Sequence, residues 1–281
     1  MSTPTFLTPL LGLEESTVES KVEYVIGGLG LIDATREVVA QLIADDAMVV
    51  ACGASPVLDR WRQRRDGGPA ATGPQLEAVK AFVAIGFGNP GSPKNVDHVQ
   101  GHVAELLWHR MVAERTVCRD GRTLVDAPPI KADALEPGGD GLVVYGDLDG
   151  ELVFRLWEIK KHDASGAVSK TINRAAKQLR KRGHHYLAKL AGPATLTAQG
   201  ALGELYDGMV DLWFERSERA GVGVSVGASS EHRPRGRNAF KSLRTQFPEF
   251  AAAAQTESIV LTIPDFPEFA DRVKEVVWSG L

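Results

Sequence analysis

The stretch that most constrains the fold of this chain is Pro137–Lys161, because it predicts a β-hairpin. Its two apolar segments, Leu142–Gly146 and Glu151–Lys161, are typical of strands. The loop between them ends at Gly150, and a three-residue hairpin loop needs glycine at that left-handed position. The length of the loop sets the register of a hairpin, so the residues that face each other can be counted.

The register follows from the pair of residues that flank the loop. If Asp147 faces Glu151, residues whose numbers sum to 298 lie opposite each other. Asp140 then faces Glu158 at roughly 4.5–5.5 Å between Cα atoms. Side chains alternate along a strand, so Lys160 shares the face of Glu158. The sequence therefore predicts two carboxylates and an ammonium group at one end of the hairpin.

This grouping predicts a particular chemistry. Two opposed carboxylates in a half-buried sheet repel each other and are costly to desolvate. A divalent cation between them removes both penalties, and Mg²⁺ prefers oxygen ligands. Such a cation would polarise a phosphate and lower the pKa of a water molecule, while Lys160 would orient that water or stabilise developing charge. We therefore predict hydrolysis of phosphodiesters; the alternative is an ordinary solvated hairpin end.

The pattern formed by Asp140, a gap of seventeen residues and then Glu158-Ile159-Lys160 resembles the PD-(D/E)xK nuclease superfamily. In that superfamily the Asp and the Glu carry Mg²⁺, and the Lys assists the attacking water. The resemblance implies that Asp140, Glu158 and the Ile159 carbonyl bind Mg²⁺ or Mn²⁺. The proline of the signature is not adjacent to the Asp here, since Pro137 lies three residues before it.

The composition is that of an ordinary globular protein of 281 residues, 43% of them hydrophobic and 24% charged. Because the net charge is −4, any affinity for nucleic acid must come from a local basic patch. Two cysteines without metal-ligand spacing fit a reducing compartment. No apolar run approaches the roughly 18 residues that span a membrane, and the N-terminus lacks the features of a signal peptide. We expect a cytoplasmic protein with no membrane partner.

The glycine-rich turn Gly27–Gly30 raises the alternative of a nucleotide-binding enzyme. A predicted strand, Val22–Ile26, precedes it and a predicted helix, Asp33–Ala44, follows. The dinucleotide fingerprint, however, needs Gly or Ala at the position of Asp33. The next segment, Ala47–Cys52, is predicted as a second strand and has no ribose-binding acid. An ordinary strand–turn–helix that supports the core is the favoured interpretation.

A predicted helix from Asn95 to about Arg115 precedes the hairpin. Its polar stripe consists of His98, His102, Glu105 and His109. The default interpretation is a solvated face, and a His/Glu metal site is another, although there is no HExxH pattern. The histidines themselves are predicted to be structural or to face the substrate. Nucleases of the superfamily commonly place a Glu on this helix, facing the metal, so the resemblance implies that role for Glu105. Gly101, one turn earlier, would allow a close approach.

A predicted helix from Ser169 to about Leu190 follows the hairpin and carries a basic face. Between Arg155 and Lys189 there are ten Lys/Arg and two acids, a local excess of eight positive charges. Solvated faces usually mix both signs, so this face is predicted to bind nucleic-acid phosphates. The residues predicted to do so are Lys170, Arg174, Lys177 and Lys181. RecB-like branches of the superfamily carry a Gln at this place, which implies a catalytic role for Gln178.

A second basic cluster lies on a predicted loop in the C-terminal third. It contains Arg233, Arg235 and Arg237, which could hold the opposite strand or a backbone phosphate. A mobile basic loop without a ligand is the alternative interpretation.

These elements predict an α/β fold, with a mixed central sheet flanked by helices. Residues 93–281 form a predicted restriction-endonuclease-like core, and residues 1–92, which end at the Gly86–Pro93 break, a predicted N-terminal α/β extension. The predicted function is metal-dependent hydrolysis of DNA in phage defence or restriction. Gly101–Lys161 is similar to the HamA-type nuclease of the Hachiman anti-phage system, which implies a helicase partner. A non-catalytic nucleic-acid-binding subunit of a defence or repair complex remains an open alternative, beside the nucleotide-binding enzyme.

Overall fold

The computed structural model describes residues 6–18, 22–133, 139–162, 165–235 and 237–281. Within these residues the centre of the fold is a seven-stranded mixed sheet, and a separate two-stranded sheet is formed by β3 and β4. In chain order the strands are β1 (Glu14–Val18), β2 (Val22–Gly27), β3 (Gly88–Asn89), β4 (Ser92–Pro93), β5 (Thr123–Asp126), β6 (Gly141–Gly146), β7 (Leu152–His162), β8 (Ala220–Ser229) and β9 (Thr256–Ile263).

The large sheet has the order β1-β2-β9-β8-β7-β6-β5. The four inner strands β2, β9, β8 and β7 are parallel, whereas β1, β6 and β5 are antiparallel to their neighbours. Strands β8 and β9 are buried along their whole lengths, as is usual for parallel strands that are covered on both faces. The carboxyl ends of the four parallel strands lie along one edge of the sheet, which is where α/β proteins bind ligands.

Helices cover both faces of this sheet. In chain order the described helices of the α type are α1 (Thr8–Leu11), α2 (Asp33–Cys52), α3 (Pro56–Arg65), α4 (Gly73–Phe87), α5 (Val96–Glu114), α6 (Ser169–Ala194), α7 (Gly200–Phe214), α8 (Lys241–Gln246) and α9 (Phe266–Ser279). One apolar core lies between the sheet and helices α2 to α5 and α9, and a second lies between the other face and α6, α7 and α8. The predicted α/β fold with a mixed sheet flanked by helices is confirmed. None of the helices described here has the length and apolar character needed to cross a membrane.

The hairpin formed by β6 and β7 has the predicted register. Gly141 pairs with Trp157, so the numbers of paired residues sum to 298. Gly150 has a φ angle of 83°, the left-handed conformation that the loop requires. The same register brings Asp140, the residue before β6, beside Glu158 of β7.

The N-terminal third of the chain belongs to the same sheet as the rest. Strand β2 lies between β1 and β9, and helix α2 packs against α9. The division between residues 92 and 93 stays a prediction, and it does not separate two sheets. The predicted strand Ala47–Cys52 is wrong, because these residues form the last turns of α2. A short apolar run fits a buried helix as well as a buried strand.

Two glycines near the hairpin differ in what surrounds them. A Cβ atom on Gly141 would lie 2.1 Å from the Cη2 atom of the buried Trp108. A Cβ atom on Gly101 would have no described neighbour within 4 Å outside its own helix, so the predicted close approach at Gly101 is wrong. Glycine is therefore needed for packing at residue 141 and not at residue 101.

Gly141→Ala should lower the free energy of unfolding by about 1–3 kcal/mol, because the added methyl group must displace an indole ring in a close-packed core. Gly101→Ala is the matched control. It should raise the free energy of unfolding by about 0.5–1 kcal/mol, since alanine favours the interior of a helix. Urea denaturation of both variants measures the difference, and equal effects would contradict the packing described here.

Candidate active site

Asp140 and Glu158 meet at the open end of the hairpin. The N–H of Ile159 donates a hydrogen bond of 2.8 Å to Oδ2 of Asp140, which fixes this carboxylate against β7. The Glu158 side chain is 0% exposed, and among the described residues neither of its carboxyl oxygens has a hydrogen-bond donor of good geometry. A buried carboxylate whose oxygens are satisfied only in part is costly, so this position favours either a bound cation or a bound proton.

Lys160 supplies the positive charge of the site. Its Nζ atom forms an ion pair with Oε1 of Glu158 and lies 3.6 Å from Oδ2 of Asp140. The side chains of Lys160 and Asp140 are 25% and 14% exposed, so solvent reaches this side of the cluster. The structure thus brings together the two carboxylates and the ammonium group that the register predicts.

Lys161 lies on the opposite face of the sheet, as the alternation of side chains requires. Its Nζ atom is 2.6 Å from Oδ1 of Asp97 and 3.1 Å from Oε1 of Gln100, both of which belong to α5. The two adjacent lysines therefore have separate environments, and only Lys160 contacts the paired carboxylates.

Glu105 approaches the same cluster from α5 and is buried. Burial raises the pKa of Glu105 well above its usual value, and the negative charge of Asp140 adds to this effect. The positive charges of Lys131 and Lys160 lower the pKa of Glu105 in part. Glu105 therefore lies within the electrostatic surroundings of the cluster, and its role as an accessory acid stays a prediction. Lys131 is a cation near the site that neither spacing nor periodicity identifies.

The histidines of the α5 stripe are largely buried, so the default interpretation of this stripe as a solvated face is wrong, while their burial agrees with the predicted structural role. Burial lowers the pKa of His102 to about 4, which keeps its ring neutral at pH 7, and the ring packs against Gly86 of α4. Burial also lowers the pKa of His98 and of His109. These rings fill space between α5 and its neighbours.

The pKa of Glu158 is raised well above that of an ordinary glutamate. Burial is the largest cause and the charge of Asp140 is the next, while Lys160 opposes both. The folded protein therefore keeps a proton on Glu158 at pH values at which the unfolded chain has lost it. Because protons and cations compete for a carboxylate, metal affinity at this position should rise with pH.

We expect the metal-free protein to lose stability as the pH rises from about 4.5, the ordinary value for glutamate, through the raised pKa of Glu158. A raised folded-state pKa gives stability that is fully present below the unfolded-state pKa and is lost above the folded-state pKa. Glu158→Gln resembles the protonated acid, so at about pH 9 it should be more stable than the wild type by at least ~1 kcal/mol. Urea denaturation in EDTA measures this, and a parallel loss of stability in both proteins would contradict it.

The oxygen donors of the site fit a hard divalent cation. Across the ranges that the structure describes, no three or more His, Cys, Asp or Glu side chains are grouped so that they could hold a metal ion. Mg²⁺, however, usually takes one or two carboxylates and keeps several waters. The carboxylates of Asp140 and Glu158 meet that smaller requirement, since no described donor bonds Oε2 of Glu158 and its Oε1 contacts the Lys160 ammonium. Ile159 lies beside them through its N–H, and the role of its carbonyl stays a prediction.

The basic residues predicted on α6 lie on its exposed face. They are Lys170, Arg174, Lys177 and Lys181. The opposite face carries Ile172, Ala175 and Leu179, which are buried in the second core. The face that is predicted to bind phosphates is therefore open to a ligand.

Gln178 is linked through a second residue to the strand end that carries Asp140. Its Nε2 atom donates a hydrogen bond of 3.0 Å to the hydroxyl of Tyr186, roughly two helical turns later. Tyr186 is buried and packs against Gly139, the residue before Asp140. In RecB-like branches a Tyr follows this Gln after four residues, whereas here eight residues separate Gln178 from Tyr186, so the resemblance does not identify Tyr186. Only the structure shows that the two side chains are joined by a hydrogen bond.

The basic loop after β8 lies beyond the carboxyl end of that strand. Arg233 forms an ion pair of 2.7 Å with Glu14 of β1, and Arg235 is exposed. Because β8 is the parallel neighbour of β7, this loop lies along the same edge of the sheet as Lys160. The side chain of Arg237 lies outside the described residues, as does Pro137.

The turn Gly27–Gly30 is occupied by the chain itself. The N–H of Gly28 donates to the Leu11 carbonyl at 2.7 Å, and the N–H of Leu31 donates to the Gly28 carbonyl at 3.1 Å. A Cβ atom on Gly28 would lie 3.0 Å from the Thr262 carbonyl oxygen. These contacts favour the interpretation of the turn as a packing element.

Comparison with known proteins does not place the chain in a family. No protein-family model matches it, and no curated protein matches its sequence at a significant level. A proposal about its function therefore rests on the residues and the geometry described above.

Proposed function

We propose that the protein is a metal-dependent nuclease that hydrolyses phosphodiester bonds of DNA. The observation that carries this proposal is the grouping of Asp140, Glu158 and Lys160 at the open end of one hairpin. A structural ion pair needs one carboxylate, and a second one beside it adds repulsion and desolvation. The buried Glu158 contacts the Lys160 ammonium through Oε1, and no described donor reaches its Oε2, which supports a cation-binding role over a structural one.

Each residue of the cluster has a role in this proposal. Asp140 and Glu158 would hold Mg²⁺ or Mn²⁺, which when bound polarises a phosphate and lowers the pKa of a water molecule. Lys160, which is partly exposed beside both carboxylates, would orient the attacking water or stabilise developing negative charge. Glu105 of α5 would act as an accessory acid, and Gln178 of α6, which donates a hydrogen bond to Tyr186, would take part in catalysis.

The finer proposals are DNA as the substrate, a role in phage defence or restriction, a helicase partner and a cytoplasmic location. The resemblance of Gly101–Lys161 to HamA-type nucleases of the Hachiman system implies the role in phage defence and the helicase partner, whereas the two cysteines without metal-ligand spacing favour a cytoplasmic location. The exposed cations of α6 support a polyanionic substrate, because such a face attracts phosphates and releases their counterions.

The proposal is tested by incubating the protein with plasmid and linear DNA, in Mg²⁺ or in EDTA. We expect cleavage in Mg²⁺ and none in EDTA. The comparison of both DNA forms distinguishes internal cleavage from cleavage at ends. Cleavage that EDTA leaves unchanged, or no cleavage of either DNA in Mg²⁺, would contradict the proposal.

A second function is favoured by one observation, the exposed basic face of α6. That face needs no carboxylates to bind nucleic acid. The protein could then serve as a non-catalytic nucleic-acid-binding subunit. Tight binding of DNA without metal-dependent cleavage would support this function over the first.

A further inference from the structure

An open cavity of about 560 Å³ lies beyond the carboxyl ends of β7 and β8. Its lining includes Gly166, Ser169, His232, Arg233, Arg235 and Asn238. A second cavity of about 300 Å³ shares Ser169 and Asn238 with the first and continues past Lys170 and Ser242. We call the two together the α6 groove. The volume of the larger cavity is within the range of pockets that bind small-molecule ligands.

The wall of the α6 groove is held by His162, a buried residue at the end of β7. Its Nε2–H donates to the Gly166 carbonyl at 3.2 Å, and its Nδ1 lies 2.8 Å from Oγ1 of Thr171. The His162 ring also contacts the ring of His232, with 4.6 Å between the centroids. Through these contacts His162 connects the end of β7 to the segment before α6, to the first turn of α6 and to the loop after β8.

The α6 groove is lined mainly by donors and positive charges. Arg233 and Arg235 line it, and Nζ of Lys170 lies 3.7 Å from the position that a Cβ on Gly166 would take. Glu231 is the single carboxylate among the described residues that line the larger cavity. One arginine side chain can bind two phosphate oxygens at once through two parallel N–H groups. The nearby start of α6 adds the positive end of a helix dipole. This chemistry fits a phosphate group.

The α6 groove has a defined position relative to the carboxylate cluster. Glu158 and His162 lie on β7 four residues apart, so their Cα atoms are separated by roughly 13 Å along the strand. A phosphate in the groove would therefore belong to a nucleotide near the scissile bond, and not be the scissile phosphate itself. A nucleic-acid strand bound both at the carboxylate cluster and in the α6 groove would be held in a fixed direction across β7.

We propose that the α6 groove binds a second phosphate of the nucleic-acid strand, through Arg233 and Arg235. The identity of the strand rests on the proposed function, whereas the recognition of phosphate rests on the groove itself. Glu14, which is 70% exposed, pairs with Arg233 and competes with the ligand for this side chain.

The test measures binding of a fluorescent single-stranded oligonucleotide by anisotropy, in EDTA, over a range of salt concentrations. Arg233→Ala/Arg235→Ala should weaken binding about tenfold and reduce the salt slope by about one to two. Arg60→Ala/Arg64→Ala removes the same charge from α3, in the layer on the other face of the sheet, and should have little effect. Equal losses in the two double variants, or no loss in the first, would overturn the proposal.

A third variant keeps the test decisive if the first unfolds. Glu14→Gln frees Arg233 from its ion pair and should strengthen binding, and unchanged or weaker binding would count against the proposal.

Oligonucleotides with and without a 5′-phosphate show which part of the nucleic acid occupies the α6 groove. A gain from the terminal phosphate that the Arg233/Arg235 variant loses would place a strand end in the groove, and equal losses for both oligonucleotides would place an internal diester there. Inorganic phosphate should compete in either case, and a failure to compete would oppose the proposal.

These measurements separate the two proposals. Binding in EDTA involves no hydrolysis, so a failure of the α6 groove would leave metal-dependent cleavage unaffected. An absence of cleavage would likewise leave the phosphate affinity of the groove unaffected.

Discussion

Asp140→Asn should leave the protein folded and reduce metal-dependent cleavage of DNA by at least about 10³-fold, or about 4 kcal/mol. Asparagine keeps an oxygen that can accept the hydrogen bond from the Ile159 N–H, so the end of β6 should stay in place. It removes the negative charge that would attract a divalent cation. Single-turnover cleavage measures the first effect, and calorimetric titration with Mn²⁺ measures the loss of metal binding without reference to activity.

Asp97→Asn is the matched control for this substitution. Asp97 is also a carboxylate paired with a lysine of β7, but it lies on the other face of the sheet and contacts Lys161. This variant should keep both cleavage and metal binding. Equal cleavage by the wild type and Asp140→Asn would contradict the assignment of Asp140 to a metal site.

Lys160→Ala should reduce single-turnover cleavage by about 10²–10³-fold, because it removes a positive charge placed where negative charge develops. Metal binding should persist, since the carboxylates of Asp140 and Glu158 lose only a competing cation. Affinity for DNA should change little, because the exposed cations of α6 remain. The substitution would thus lower turnover while it leaves binding intact.

Lys161→Ala is the control for Lys160→Ala, because the two residues are adjacent lysines of β7 that face opposite sides of the sheet. Lys161 contacts Asp97 and Gln100, so its removal should cost little cleavage. If Lys161 proved essential and Lys160 dispensable, the chemistry would lie on the α5 face, and the cluster of Asp140 and Glu158 would not be the catalytic site.

Local rules were enough to predict the hairpin and its register. A three-residue loop with Gly150 in the left-handed conformation fixes which residues pair, and the alternation of side chains then separates Lys160 from Lys161. The helix that begins after Asn95 was predictable for the same kind of reason, since the Asn95 side chain accepts a hydrogen bond from the N–H of Asp97. Both predictions depend on residues within a few positions of each other.

Predictions that needed knowledge of distant neighbours were the ones that the structure corrected. The histidine stripe of α5 is polar, which predicts exposure, yet elements far away in the chain bury it. The segment Ala47–Cys52 is apolar, and only its packing decides between helix and strand. At Gly101 the sequence shows a small residue but not whether another element approaches it.

The features of the candidate site likewise fall into those that local sequence predicts and those that depend on tertiary packing. The sequence by itself determined that Asp140, Glu158 and Lys160 share one end of a hairpin, because pairing and alternation are local properties of the backbone. The tertiary structure decided that Glu158 is fully buried, that Tyr186 links Gln178 to Gly139, and that two cavities meet at Ser169 and Asn238. Burial and cavities are produced by elements that are far apart in the chain, so their effects on charge appear only once those elements have packed together.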